Sequence, residues 1–119
     1  MSIYKTTTEL ATSVLQHLGE LAAGEAIDTE DDSYITGVYN DKWEELADES
    51  VSLAYWPKDD IPTVVFLIVR DLIANEVRAA YGQPMAAQVK ENEEITILRR
   101  LRRHVSTKAS GHRTRAEYF

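Results

Sequence analysis

Residues 59–82 read DDIPTVVFLIVRDLIANEVRAAYG, and this stretch decides the architecture. Asp59 and Asp60 stand ahead of Ile61-Pro62, which is a helix-start signal: acids for the cap and dipole, then a proline near the first turn. The segment that follows is apolar on most sides at first and amphipathic later. Gly82 supplies a C-terminal stop. A helix apolar nearly all round belongs in the middle of a domain. The reading is therefore a central core helix, around which the rest of the chain must pack.

Upstream, Thr6 and Glu9 form a Thr-x-x-Glu capping box, each side chain placed to satisfy a free backbone N–H. Leu10, Val14, Leu18 and Leu21 then recur every three or four residues, which predicts an amphipathic helix of about four turns ending at Gly24. Gly19 falls inside this helix and suggests the close approach of a neighbour. A second helix is expected from Asp28-Thr29, with Glu30, Asp31 and Asp32 favouring its positive end. Its apolar face is Ile35, Val38, Tyr39, Trp43 and Leu46. Residues 49–60 alternate with a period of two until Pro57, so they read as an extended connection with a short edge strand. Downstream, Pro84 opens a fourth helix to Val105. Its apolar stripe is Ile97, Leu98, Leu101 and Val105, and Arg99, Arg100, Arg102 and Arg103 cover the rest. The remainder, 106–119, lacks any period and reads as a tail without structure of its own. The expected fold is all-α: a four-helix domain over 1–105, a long connection between helices 2 and 3, and an extended C-terminal arm over 106–119.

At 119 residues the chain suits one domain. It has no cysteine, which removes disulfides, thiol catalysis and cysteine-ligated zinc. The longest apolar run, Val64 to Val69, is too short to span a bilayer. The first ten residues lack a secretory signal pattern. The expectation is a soluble protein that stays in the cell that made it.

The net charge of −7 conceals an asymmetry. Residues 1–98 carry six Lys/Arg and 19 Asp/Glu, a balance of −13, whereas residues 99–119 carry seven and one, a balance of +6. An acidic body with a basic end suits an acidic partner, nucleic acid, or another copy of itself.

Catalytic chemistry is hard to find. His17, His104 and His112 lack a second ligand at metal spacing. The acid pairs Asp31-Asp32, Glu44-Glu45, Asp59-Asp60 and Glu93-Glu94 sit in caps and polar stretches, where carboxylates are solvated and not tuned for catalysis. There is no Gly-rich phosphate loop and no nucleophile elbow. The expectation is a protein that is not an enzyme and takes no cofactor or metal. Tyr55 and Trp56, beside Pro57, read equally as core plugs or interface anchors. The Arg99–Arg103 cluster has the charge to contact phosphates, against the repulsion of the acidic body. Tyr118 and Phe119 end a basic segment with an aromatic pair, the composition of a docking arm that orders on a preformed groove.

The segment order resembles a known family. The pieces are ELATSVLQHLGELAAGEAI, the acid-rich TEDDSYITGVYNDKWEELA, IPTVVFLIVRDLIANEVRAAYG, and an Arg-rich last helix followed by GHRTRAEYF. Together they look like the small head-to-tail adaptor, or connector, proteins of tailed bacteriophages. The likeness covers nearly the whole chain and includes no catalytic signature. The resemblance implies a structural virion protein at the capsid–tail junction, assembled in the host cytoplasm. It implies a ring, typically of twelve copies, beneath the portal protein, followed by a tail or tail-completion protein. DNA would only pass through the channel. It also implies that Gly111 to Phe119 dock on the portal, with Arg113 and Arg115 as charged contacts and Tyr118 and Phe119 as apolar anchors. The competing expectation is a small regulatory module that binds nucleic acid or a protein partner through Leu98 to Val105.

Overall fold

The computed structural model describes residues 3–48 and 52–117, with side chains described as far as Thr107. Four α-helices form the domain: α1 Thr7–His17, α2 Thr29–Ala47, α3 Thr63–Val77 and α4 Ala87–Glu117. Two short strands, β1 Tyr4–Lys5 and β2 Ile61–Pro62, pair antiparallel with Tyr4 opposite Pro62. They tie the start of the chain to the start of α3. The all-α expectation holds. The extended pairing falls on Ile61–Pro62; the described residues 52–56 before Pro57 form no strand, and residues 49–51 of the alternating stretch lie outside the described residues.

The central helix lies where its composition demands. α3 packs against α1, α2 and α4 and contributes Val65, Phe66, Val69, Leu72, Ile73 and Val77 to the core. Burying each such side chain contributes roughly 1.5–3 kcal/mol. α1 adds Leu10, Ala11, Val14, Leu15 and Leu18. On α2, Ile35, Tyr39 and Leu46 are buried, and Val38 and Trp43 half-buried, as their spacing predicts. Pro62 is the N-cap of α3, so the missing N–H falls outside the helix's own hydrogen bonds.

α1 begins with the predicted box: Glu9 N–H donates to Thr6 Oγ1 and Thr6 N–H to Glu9 Oε1, both at 3.1 Å. It ends earlier than the sequence suggests. Gly19 takes φ +78°, its N–H donates to Gln16 O at 3.1 Å, and Glu20 N–H donates to Leu15 O at 2.9 Å. Those two bonds are a Schellman stop, and only glycine adopts the left-handed turn cheaply. Gly19 is therefore the terminator, and no neighbour lies within 4 Å of the position its Cβ would take. Gly19→Ala is expected to destabilise the domain by about 1 kcal/mol through backbone strain alone, measured by urea unfolding. Gly82 ends the 3-10 turn Arg78–Tyr81 in the same way, with φ +72°. Gln83 then donates through Nε2 to Leu18 O at 2.6 Å, clasping the two glycine turns together.

The last helix departs most from expectation. α4 does not stop at Val105 but runs to Glu117, 31 residues and about 46 Å long. The reason is physical. Ala109, Arg113, Arg115 and Ala116 favour helix, no proline intervenes, and Gly111 costs only about 1 kcal/mol. Helix nucleation, the costly step, has already occurred on the packed N-terminal half. The C-terminal arm is thus helical over 106–117. No described helix is long and apolar enough to cross a membrane.

Candidate partner-binding surfaces

α4 is seated on the body by a series of polar contacts around two core residues, Ile97 and Leu101. Near its start, Asn75 Nδ2 donates to Lys90 O at 3.1 Å. Further on, Arg100 Nη1 donates to Asp71 Oδ2 at 2.8 Å, and Arg70 reaches Asp71 Oδ1 at 2.8 Å from the same helix as Asp71. Burial pushes the Asp71 carboxyl up, but the two guanidiniums outweigh it and hold it below the usual carboxylate range.

A second charged centre was invisible in the sequence. Lys42 lies on the inner side of α2 and is buried. Its Nζ meets Glu94 Oε1 of α4 at 3.1 Å, Glu76 Oε1 of α3 at 3.2 Å and Glu45 Oε1 at 3.5 Å. One ammonium therefore joins three helices. Burial pulls its pKa down, yet the Glu94 and Glu76 carboxylates more than compensate and hold it above the ordinary lysine value.

The aromatic residues of the connection divide. Trp56 is 3% exposed and acts as a core plug. Its Nε1 donates to Tyr39 Oη at 3.0 Å, Tyr39 Oη donates to Lys58 O at 2.8 Å, and Trp43 Nε1 donates to Trp56 O at 3.1 Å. Burial, the leading cause, pushes the Tyr39 hydroxyl up to about 12. Tyr55 lies at the surface, edge-on to Trp56, and its hydroxyl meets His104 Nε2 at 2.8 Å. Among the described side chains, His104 and Val105 are the last half-buried residues of α4, and Ser106 and Thr107 are exposed.

These contacts carry an alkaline signature. Tyr39 and Lys42 both keep their protons in the folded chain at pH values where an unfolded chain loses them. Their contribution is whole below the unfolded values near pH 10 and is lost as pH rises through the folded ones. The urea midpoint is expected to stay level from about pH 7 to 9 and to fall between about pH 10 and 12. Tyr39→Phe should flatten part of that fall, the rest coming from Lys42 and from Tyr81, whose hydroxyl burial and the Asp31 carboxylate also push up.

The arginines of the fourth helix also separate by role. Arg100 pairs with Asp71 while remaining partly exposed, and Arg99, Arg102 and Arg103 are exposed as well. Arg113 and Arg115 belong to the last turns of α4, and Tyr118 and Phe119 lie outside the described residues. Two surfaces escaped sequence reasoning. One is an apolar strip of Ile3, Val64 and Leu67, exposed on the outer side of α3. The other is a cavity of about 160 Å³ between α1, α3 and α4, lined by His17, Asp71, Asn75, Arg78, Glu93 and Arg100 among others. The strip was legible in principle, because a helix apolar all round in a four-helix domain has one more face than its neighbours cover. Among the described residues, no group of three or more His, Cys, Asp or Glu is placed to hold a metal ion.

Comparison with known proteins returns no match to this chain among family models, curated proteins or solved structures.

Proposed function

We propose that this protein is a head-to-tail adaptor of a tailed bacteriophage, forming a ring beneath the portal, with the basic end of α4 as its docking arm. The observation that carries the reading is the reversal of charge along one helix. α4 carries Glu91, Glu93 and Glu94 near its start and Arg99, Arg100, Arg102 and Arg103 further on, and past His104 it continues with Lys108, Arg113 and Arg115 against Glu117 alone. Such a projection has the charge to grip an acidic groove on another protein, while the −13 body repels DNA and lets it slide past. The segment resemblance supports the same role. Tyr118 and Phe119 would supply the apolar anchors at the tip.

The nucleic-acid reading draws on the exposure of Arg99, Arg102 and Arg103. It is the weaker of the two because the fourth arginine, Arg100, is spent on Asp71 and the surrounding body is acidic.

The test compares the full chain with one ending at Thr107, by co-sedimentation with the cognate portal ring. The full chain is expected to pellet with the portal and the shortened chain to remain in the supernatant. The thermal midpoint of the two should agree within about 2 °C, because every core residue among the described side chains, Leu101 being the last, is retained. Equal pelleting would refute the docking arm. Binding to duplex DNA that weakens steeply with salt, without portal binding, would favour the nucleic-acid module.

A further inference from the structure

Two exposed strips on different helices share one order of chemistry. On α3, Val64 and Leu67 are 68% and 54% exposed and stand three residues apart, so they share a face. Ile3, 66% exposed, is tethered beside them by the Thr63 N–H to Ile3 O bond of 2.9 Å. Exposed Asp59 and Asp60 precede this strip, and the Arg70–Asp71–Arg100 group, two guanidiniums on one carboxylate, follows it. On α4, Ile95 is 45% exposed. Exposed Glu91 lies four residues before it and exposed Arg99 four residues after, on the same outer face. Both strips therefore run acid, apolar, base from N to C. Laid parallel, they set like charge against like. Laid antiparallel, each end meets its opposite with the apolar residues in register between.

The two strips of one chain cannot meet, because α4 already rests on α3 through its other side, Ile97 and Leu101. We infer that copies of this chain associate head to tail, with the outer face of α4 of one copy lying antiparallel on the Val64–Leu67 face of the next. Two different surfaces in contact leave the other strip free on each copy of a pair, so association continues, closing into a ring where the rotation between copies allows it. The inference deepens the ring reading and rests on it for the number of copies. The contact itself rests on the two strips.

The chain has no cysteine, so disulfide trapping is clean. Leu67→Cys and Ile95→Cys chains, both substituted at exposed positions, are mixed under mild oxidation. The control pairs Leu67→Cys with Gln16→Cys, at an exposed site on α1. The first pair is expected to cross-link about tenfold faster or more, through the effective concentration that docking creates. Adding Asp60→Lys to the Leu67→Cys chain should slow it, and Arg99→Glu on the Ile95→Cys chain should restore it. Cross-linking at the control rate overturns the inference. A collar on the portal without the cross-link sinks this contact and leaves the ring reading standing. The cross-link without a collar does the reverse.

Discussion

Trp56→Ala is expected to destabilise the domain by about 3–5 kcal/mol, a large part of the stability of a domain this size. The indole is the plug that closes the connection between α2 and α3 over the core. Its loss leaves a cavity that the extended backbone around Pro57 has few means to fill. It also strips the Tyr39 hydroxyl of the Trp56 donor, and it loosens the Tyr55 ring that stacks edge-on against the indole. Trp56→Phe separates these effects: it keeps most of the packing and loses the hydrogen bond, so about 1–2 kcal/mol is expected. Urea denaturation followed by helical circular dichroism measures both. A loss under about 1 kcal/mol for the alanine variant would contradict the plug assignment.

Lys42→Ala is expected to cost about 3 kcal/mol or more at neutral pH, because it removes the ammonium that Glu76 and Glu94 share and leaves only the more exposed Lys90, 3.7 Å from Glu76, beside them. Glu76 and Glu94 converge on the same ammonium from different helices, and without it they repel each other in a half-buried setting. The packing around the site is not the main issue, so changing both glutamates to glutamine in the Lys42→Ala background should recover much of the loss. No recovery in the glutamine double variant, followed by urea denaturation, would point to the lost lysine stem and not to the charges.

The two predictions concern residues that sequence reading treated very differently. Trp56 was visible as an aromatic in a loop, but whether it faced inward depended on Tyr39 and Trp43, 17 and 13 residues away. Lys42 was not visible at all: a lysine between Tyr39 and Trp43 reads as solvated unless the carboxylates of two other helices are known to converge on it. The central helix, the Thr6 box and the acid-led start of α2 were legible because each depends on neighbours within a turn or two. The two glycine stops show the limit of that rule. Gly82 had clear helix before it and Pro84 two residues after, whereas Gly19 was masked by Leu18 and Leu21, whose spacing continues the helical pattern across the break. α4 was underestimated because composition alone separates a periodic amphipathic helix from a polar one poorly. Past Val105 the sequence loses its apolar stripe, and helix propensity carries the chain on.

The candidate surfaces divide in the same way. The basic end was evident from charge counting. The apolar strip on α3 required the knowledge of which faces α1, α2 and α4 leave uncovered. Arg99 and Arg100 are adjacent in the chain, yet one faces outward and the other binds Asp71, a distinction that residue type cannot make.

The most direct test of the adaptor reading is image averaging of negatively stained portal rings incubated with the full-length protein. The expected result is an added collar on one face of the ring, symmetric about its axis and absent with the chain ending at Thr107. Portal rings that average identically with and without the full-length protein would contradict the account.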